Sequence, residues 1–270
     1  MDEWLSHPAV QSGVAPFALA LVAAILLRRS RWQGIAPGVA FAVAVALTVG
    51  FSFETLTAAR KLMIIGIGAV VLDAALPLRT GRAWPIRLAI AALAGAAAVW
   101  MLWRILLQSD AGAAVFHAAG AAAYAALAAA STVPAEAADE PIAASASSLA
   151  FGLGSGLLAL FGASALLAQW GIAVAAGAAA LLLMQVVARP APYAPALALP
   201  AAVIASMIGL LSVFSGTLSW VCLLPLLAVP WAPRVAGRVN ARWLRALAGS
   251  IAASLPVVIA ASLAWSAAAT

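Results

Sequence analysis

Charge is scarce in this chain. Only 8% of its 270 residues are Asp, Glu, Lys or Arg, against 66% hydrophobic, which leaves too little polar surface to cover a water-soluble globule of this size. Cysteine is scarcer still: Cys222 stands alone inside an apolar run, so no intrachain disulfide framework and no cysteine-based metal site can form. Histidine is limited to His7 and His117. HExxH, paired His/Cys spacing, GxxxxGK[ST], GxSxG and Asp-rich motifs are all missing. An intramembrane enzyme needs a metal or a nucleophile with its base, so neither an enzyme nor a metal or other cofactor is expected.

What is present is long and apolar. The runs are continuous rather than alternating, and crossing a bilayer takes about 20 helical residues, whereas a barrel strand takes about 10 of alternating polarity. The expected fold class is therefore an all-α membrane protein, a polytopic transmembrane helix bundle in contact with the lipid bilayer. Net charge is +6 and thirteen of the fourteen basic residues are Arg, but they cluster at the ends of apolar runs, where they meet headgroups. Nucleic acid is not an expected partner. Abundant alanine and the near-absence of lysine point to a GC-rich bacterial genome, hence a multi-pass protein of the bacterial inner membrane. Asp2 and Glu3 precede the first run and Arg28, Arg29 and Arg31 follow it, the reverse of a cleavable signal peptide, so the run is expected to remain as a helix.

Marking the runs and their breaks gives about ten spans, with eight or nine as alternatives: 10–27, 34–51, 62–78, 87–106, 111–130, 142–167, 171–188, 196–214, 217–232 and 246–265. Two divisions rest on weak breaks, Gln169-Trp170-Gly171 and Ser215-Gly216. The loops after odd-numbered spans hold eleven basic residues and the opposite loops hold Arg60, Lys61 and Arg104. That asymmetry is the positive-inside pattern, and it places both termini outside the cytoplasm. Trp32, Trp84, Trp170, Trp231 and Trp243 fall at span ends as interfacial anchors. An acidic Ala/Pro linker, 131–141, separates a five-helix N-terminal half, 1–130, from a five-helix C-terminal half, 142–270, and two odd halves would be oppositely oriented, as in inverted-repeat transporters.

Asp73 is the one charge inside LMIIGIGAVVLDAALPL, 62–78, where a carboxylate costs about 2.5 to 3.5 kcal/mol on the insertion scale. Pro77, four residues on, cannot donate to the carbonyl of Asp73. His117 and Tyr124 are two turns apart on one helical face, and a depth count places Tyr124 near Asp73, so these three are the candidate substrate- or proton-binding residues. The bland alternatives are packing for His117 and Tyr124, and an ion pair with Arg87 or Arg104 for Asp73. Helix-break candidates are Pro77, Gly152, Gly154, Gly156, Pro225 and Pro256, since discontinuous helices at the midplane form many transport sites. For the glycines, close helix packing is the competing reading.

The expected function is a transporter or permease for a small solute or ion, proton-coupled through Asp73. The alternative is a non-transporting membrane subunit or assembly factor that binds a protein partner, or a homo-oligomer.

Overall fold

Most of the apolar runs between prolines, glycines and arginines fold as helices. The computed structural model describes residues 7–28, 30–51, 54–75, 83–131, 141–162, 164–188, 199–216, 218–233 and 239–268, and no strand occurs among them. A π turn, Val10–Val14, leads into α1 (Ala15–Leu26). There follow α2 (Ala36–Thr48), α3 (Ala58–Ala75), α4 (Ala83–Leu106), α5 (Ala111–Ala130), α6 (Pro141–Phe161), α7 (Ala165–Val187), α8 (Leu199–Ser215) and α9 (Arg242–Ala268).

Five stretches, Trp84–Leu106, Ala111–Ala130, Pro141–Phe161, Ala165–Val187 and Arg242–Ala268, are long and apolar enough to cross a membrane, and three shorter apolar helices accompany them. The outer surface matches that reading. Val22, Ile67, Leu93, Phe116, Ile251 and Leu255 are 45–72% exposed, a distribution suited to lipid rather than water.

At the centre stands α8, in which every residue from Leu199 to Val213 is buried. Glycine lets its neighbours α6 and α7 approach backbone to backbone: a Cβ on Gly171 would lie 2.6 Å from the Cα of Gly156, and one on Gly152 would lie 2.8 Å from the amide nitrogen of Ala175. This is small-residue packing of the membrane type. Between helices the polar ties are few and specific. Trp170 Nε1 donates to Thr48 Oγ1 (3.0 Å), Ser145 Oγ to Gln185 Oε1 (2.9 Å) and Gln11 Nε2 to the Leu47 carbonyl (3.1 Å).

These contacts fix direction. Gly152 and Gly156 meet Ala175 and Gly171 in reverse order, so α6 and α7 are antiparallel, whereas Ser155 lies by Gly209 and Gly162 by Gly216, so α6 and α8 are parallel. Gly154 faces Val257 and Phe161 meets Trp265 with ring centroids 5.7 Å apart, so α9 is parallel to α6 as well. Two helices adjacent in sequence, α8 and α9, thus point the same way. The chain between them must run back along the bundle.

Several expectations change here. The apolar stretch across α6 and α7 divides at Gly162–Ser164, not at Gln169-Trp170-Gly171: Ser164 caps α7 by accepting from the Leu167 amide, while Gly171 is spent on packing. Trp170 is fully buried, its ring edge-on to Phe41 at 5.7 Å, and so is no interfacial anchor. Exposed Trp84, Trp231 and Trp243 are placed as anchors would be. Ser215-Gly216 does end a helix, but within 217–232, expected as a span, the described residues form 3-10 turns, among them Trp220–Cys222 and Leu224–Ala228, and no α-helix. The linker residues 132–140 lie outside the described residues.

Candidate functional site

Proline sets the conformation of the returning segment. Pro225, Pro230 and Pro233 fall within nine residues, each removing a backbone donor and disfavouring the turn before it, and at that density no α-helix is present among the described residues of the segment. What remains is a chain of three-residue turns: Cys222 N–H to Ser219 O (3.1 Å), Leu223 to Trp220 (3.0 Å), Leu226 to Leu223 (3.1 Å) and Val229 to Leu226 (3.1 Å). Its contacts descend step by step. Leu218 is beside Gly162, Trp220 against Phe214, Leu223 against Gly209 and Leu226 against Gly154. Irregular backbone at such depth is tolerated where protein buries it or a cavity is lined by it.

Beside Leu223, two hydroxyls lack partners. The Tyr124 hydroxyl and Ser155 Oγ are buried without a hydrogen bond, and they lie 3.7 and 3.8 Å from the point that a Cβ on Gly209 would occupy. Three helices, α5, α6 and α8, bring them together. Ser155 stands out among the buried serines: Ser147, Ser148, Ser206 and Ser212 each donate to a carbonyl of their own helix, and Ser145 donates to Gln185. Gly209 makes room for Leu223, since a methyl there would come 2.9 Å from Leu223 Cδ2.

Further along the same face of α5, His117 joins an aromatic cluster. Its ring stacks on Trp220 (6.3 Å, 18° between planes) and stands edge-on to Phe214 (5.5 Å), which itself meets Trp220 at 5.2 Å. The spacing of His117 and Tyr124 therefore does put both against the returning segment and α8. Gly120, between them, leaves space that Trp220 fills at 3.6 Å.

Asp73 is elsewhere. Gly66 of α3 lies opposite Ile204, and Val70 and Pro200 both border Gly38, so α3 runs antiparallel to α8 and Asp73 falls near the N-terminal end of α8. Counting about 1.5 Å per residue along the helices separates it from the level of Gly209 by about 18 Å. It is buried, with no cation among the described residues paired to it. Arg87 and Arg104 are thus not its ion-pair partners.

Of the expected helix breaks, Pro225 lies in the irregular segment. Gly152, Gly154 and Gly156 sit inside an unbroken α6, and Pro256 inside an unbroken α9. Pro77 lies outside the described residues. Ser155, Phe214 and Trp220 were not singled out by sequence, although Ser155 is part of the same GLGSG stretch as the glycines. Lys61, read as a loop residue, is buried; its Nζ donates to the Trp100 carbonyl (2.7 Å) and lies 5.1 Å from the Trp100 ring centroid. No group of three or more His, Cys, Asp or Glu among the described residues could hold a metal ion.

No family model, no curated protein and no solved structure matches the chain. The functional reading rests on the geometry alone.

Proposed function

We propose that this is a transporter or permease of the bacterial inner membrane, moving a small solute or ion past the Gly209 level of the bundle. The observation that supports it most is the returning segment. A proline-broken chain packed lengthwise against α6 and α8, with Cys222, Leu223 and Leu226 buried and Val221 and Leu224 exposed, next to two partnerless hydroxyls, is the arrangement by which discontinuous spans build midplane sites, and ordinary helix packing gives no reason to keep either feature. In this reading the segment counts as a crossing, which makes ten spans with both termini outside the cytoplasm, and Arg28, Arg87, Arg242 and Arg245, beside the ends of α1, α4 and α9, would then face the cytoplasm together, as the positive-inside pattern expects.

In the finer form of this proposal, Asp73 is the proton-binding residue. It does not touch the Gly209 site, so its coupling acts through movement of α3 against α8. Reconstituted protein should pass a solute at a rate that falls at least tenfold in Trp220→Ala, with the fold retained. Vesicles no leakier than protein-free ones, tested across ions, amino acids and small polyols, would contradict transport.

One observation favours the second reading, a membrane subunit bound to a protein partner. A largely apolar groove of about 690 Å³, lined by Gly95, Val99, Trp100, Trp103 and Ala122, opens on the outer face of α4 and α5, and its small residues would admit a partner helix. Native mass spectrometry in a mild detergent decides this: a stoichiometric partner lost in Gly95→Leu would favour the subunit.

A further inference from the structure

The two hydroxyls at Gly209 carry more than a location. Each is fully desolvated and each can donate and accept one hydrogen bond, yet neither bonds to the other or to any carbonyl. A buried hydroxyl without a partner is costly, and the great majority of such groups in native structures are satisfied. For Ser155 the ordinary remedy is local, a bond to its own helix as Ser147 and Ser148 make. Instead its oxygen is directed to the place that the Tyr124 oxygen also faces.

We propose that an uncharged hydrogen-bonding group bridges Tyr124 and Ser155 at Gly209: a water molecule at rest, and a hydroxyl or amide of the solute in transit. This deepens the transport reading and rests on it for the solute, though not for the resting water. Lack of charge follows from the surroundings. Besides the two hydroxyls, the side chain nearest to this point is Leu223, with Leu226 and Val257 packed at Gly154, the residue before Ser155, and the titratable group on the adjoining face, His117, stacks on Trp220. Asp73 lies at the far end of α3. An ion held here would exchange its hydration shell for two neutral dipoles, a loss that two hydroxyls cannot offset. A group that both donates and accepts matches both hydroxyls at once.

The test is a double-mutant cycle on the purified full chain, in detergent without added solute, using Tyr124→Phe, Ser155→Ala and the double variant, with Ser148→Ala as a control serine. A shared bridging group predicts that each single variant lowers Tm by about 2–4 °C, the shift of one lost hydrogen bond in a chain of this size. The double variant should fall no further than the larger single loss, because one ligand has been lost once. Should either variant fail to fold, Ser155→Cys and Tyr124→Trp take their places in the cycle. Additive effects, or a rise in Tm in each single variant, would mean two independent orphan hydroxyls and would overturn the bridge. A second arm titrates NaCl, KCl and choline chloride: a wild-type Tm that responds to one ion and ceases to respond in the double variant would make the ligand an ion and overturn its neutrality. The cycle needs no flux, so failure of transport and failure of the bridge are read separately.

Discussion

Leu226 lies on Gly154, its Cδ2 2.7 Å from where a Cβ on that glycine would sit. The contact joins the proline-broken segment to the middle of α6, eight residues and so about 12 Å from the Gly162 level at which the segment enters beside Leu218, along a helix rising about 1.5 Å per residue. A loop confined to one end of the bundle would not reach so far along it. Val257 of α9 flanks the same glycine at 3.2 Å, so Gly154 is the point where α6, α9 and the returning chain meet.

A side chain there has no room. Gly154→Leu should displace Leu226 or α9 at an overpacking cost of about 1–3 kcal/mol, seen as lower expression and Tm, with partial recovery in the Gly154→Leu/Leu226→Ala double variant. Gly68→Leu is the matched control, since nothing lies within 4 Å of a Cβ at Gly68. Equal behaviour of the two leucine variants would remove the contact from the account.

The α6–α7 interface is tighter still, because what Gly171 meets is backbone. A Cβ would come within 2.6 Å of both the Cα and the nitrogen of Gly156, and no side chain can rotate away to relieve it. Gly171→Ala should therefore destabilise more than Gly156→Ala, whose Cβ meets its nearest atoms at 3.1 and 3.2 Å. Thermal melts of the two variants in the same detergent check the order.

The Trp170–Thr48 bond ties α7 to α2 across an otherwise apolar contact. Thr48 Oγ1 also donates to the Ala44 carbonyl at 2.7 Å, so Trp170→Phe leaves no orphan on Thr48 and should cost about 0.5–1.5 kcal/mol beyond the change in packing. In a cycle with Thr48→Val, a coupling energy near zero would show that the bond contributes nothing.

Asp73 separates two accounts by stability. An ion pair with Arg87 or Arg104 would make Asp73→Asn strongly destabilising, since it would leave a buried cation unpaired. No such pair is present, so Asp73→Asn should leave Tm within about 2 °C of wild type or raise it, by removing a desolvated acid. In a flux assay the same variant should lose any pH dependence of transport. A large fall in Tm would return Asp73 to a structural role.

Much of this was legible in the sequence, for physical reasons. Apolar runs of membrane length fold as helices because nothing else satisfies the backbone in lipid, and α1 to α5 follow the marked runs closely. His117 and Tyr124 share a face because seven residues make two turns. The break before α7 was misplaced because Gln-Trp-Gly reads as an interfacial turn; only the partners Thr48 and Gly156, distant in sequence, show that Trp170 and Gly171 belong inside a helix. Depth counting put Asp73 near Tyr124 because it assumed that each helix is centred on its apolar run. Residues 217–232 are apolar enough to read as a helix, and it is the rhythm of Pro225, Pro230 and Pro233 that denies it. Ser155 was passed over because a serine in a glycine-rich stretch looks like packing until its neighbours are known to leave it unpartnered.

The central claim is that residues 218–233 return through the bilayer rather than looping over one surface. With Cys222 replaced by Ser, single cysteines at Ser215 and Asn240, both exposed, can be labelled with a membrane-impermeant maleimide in right-side-out and inverted vesicles. The account predicts opposite results: Ser215→Cys reacts from the outside only, and Asn240→Cys from the cytoplasmic side only. Labelling of both positions from the same side would contradict it.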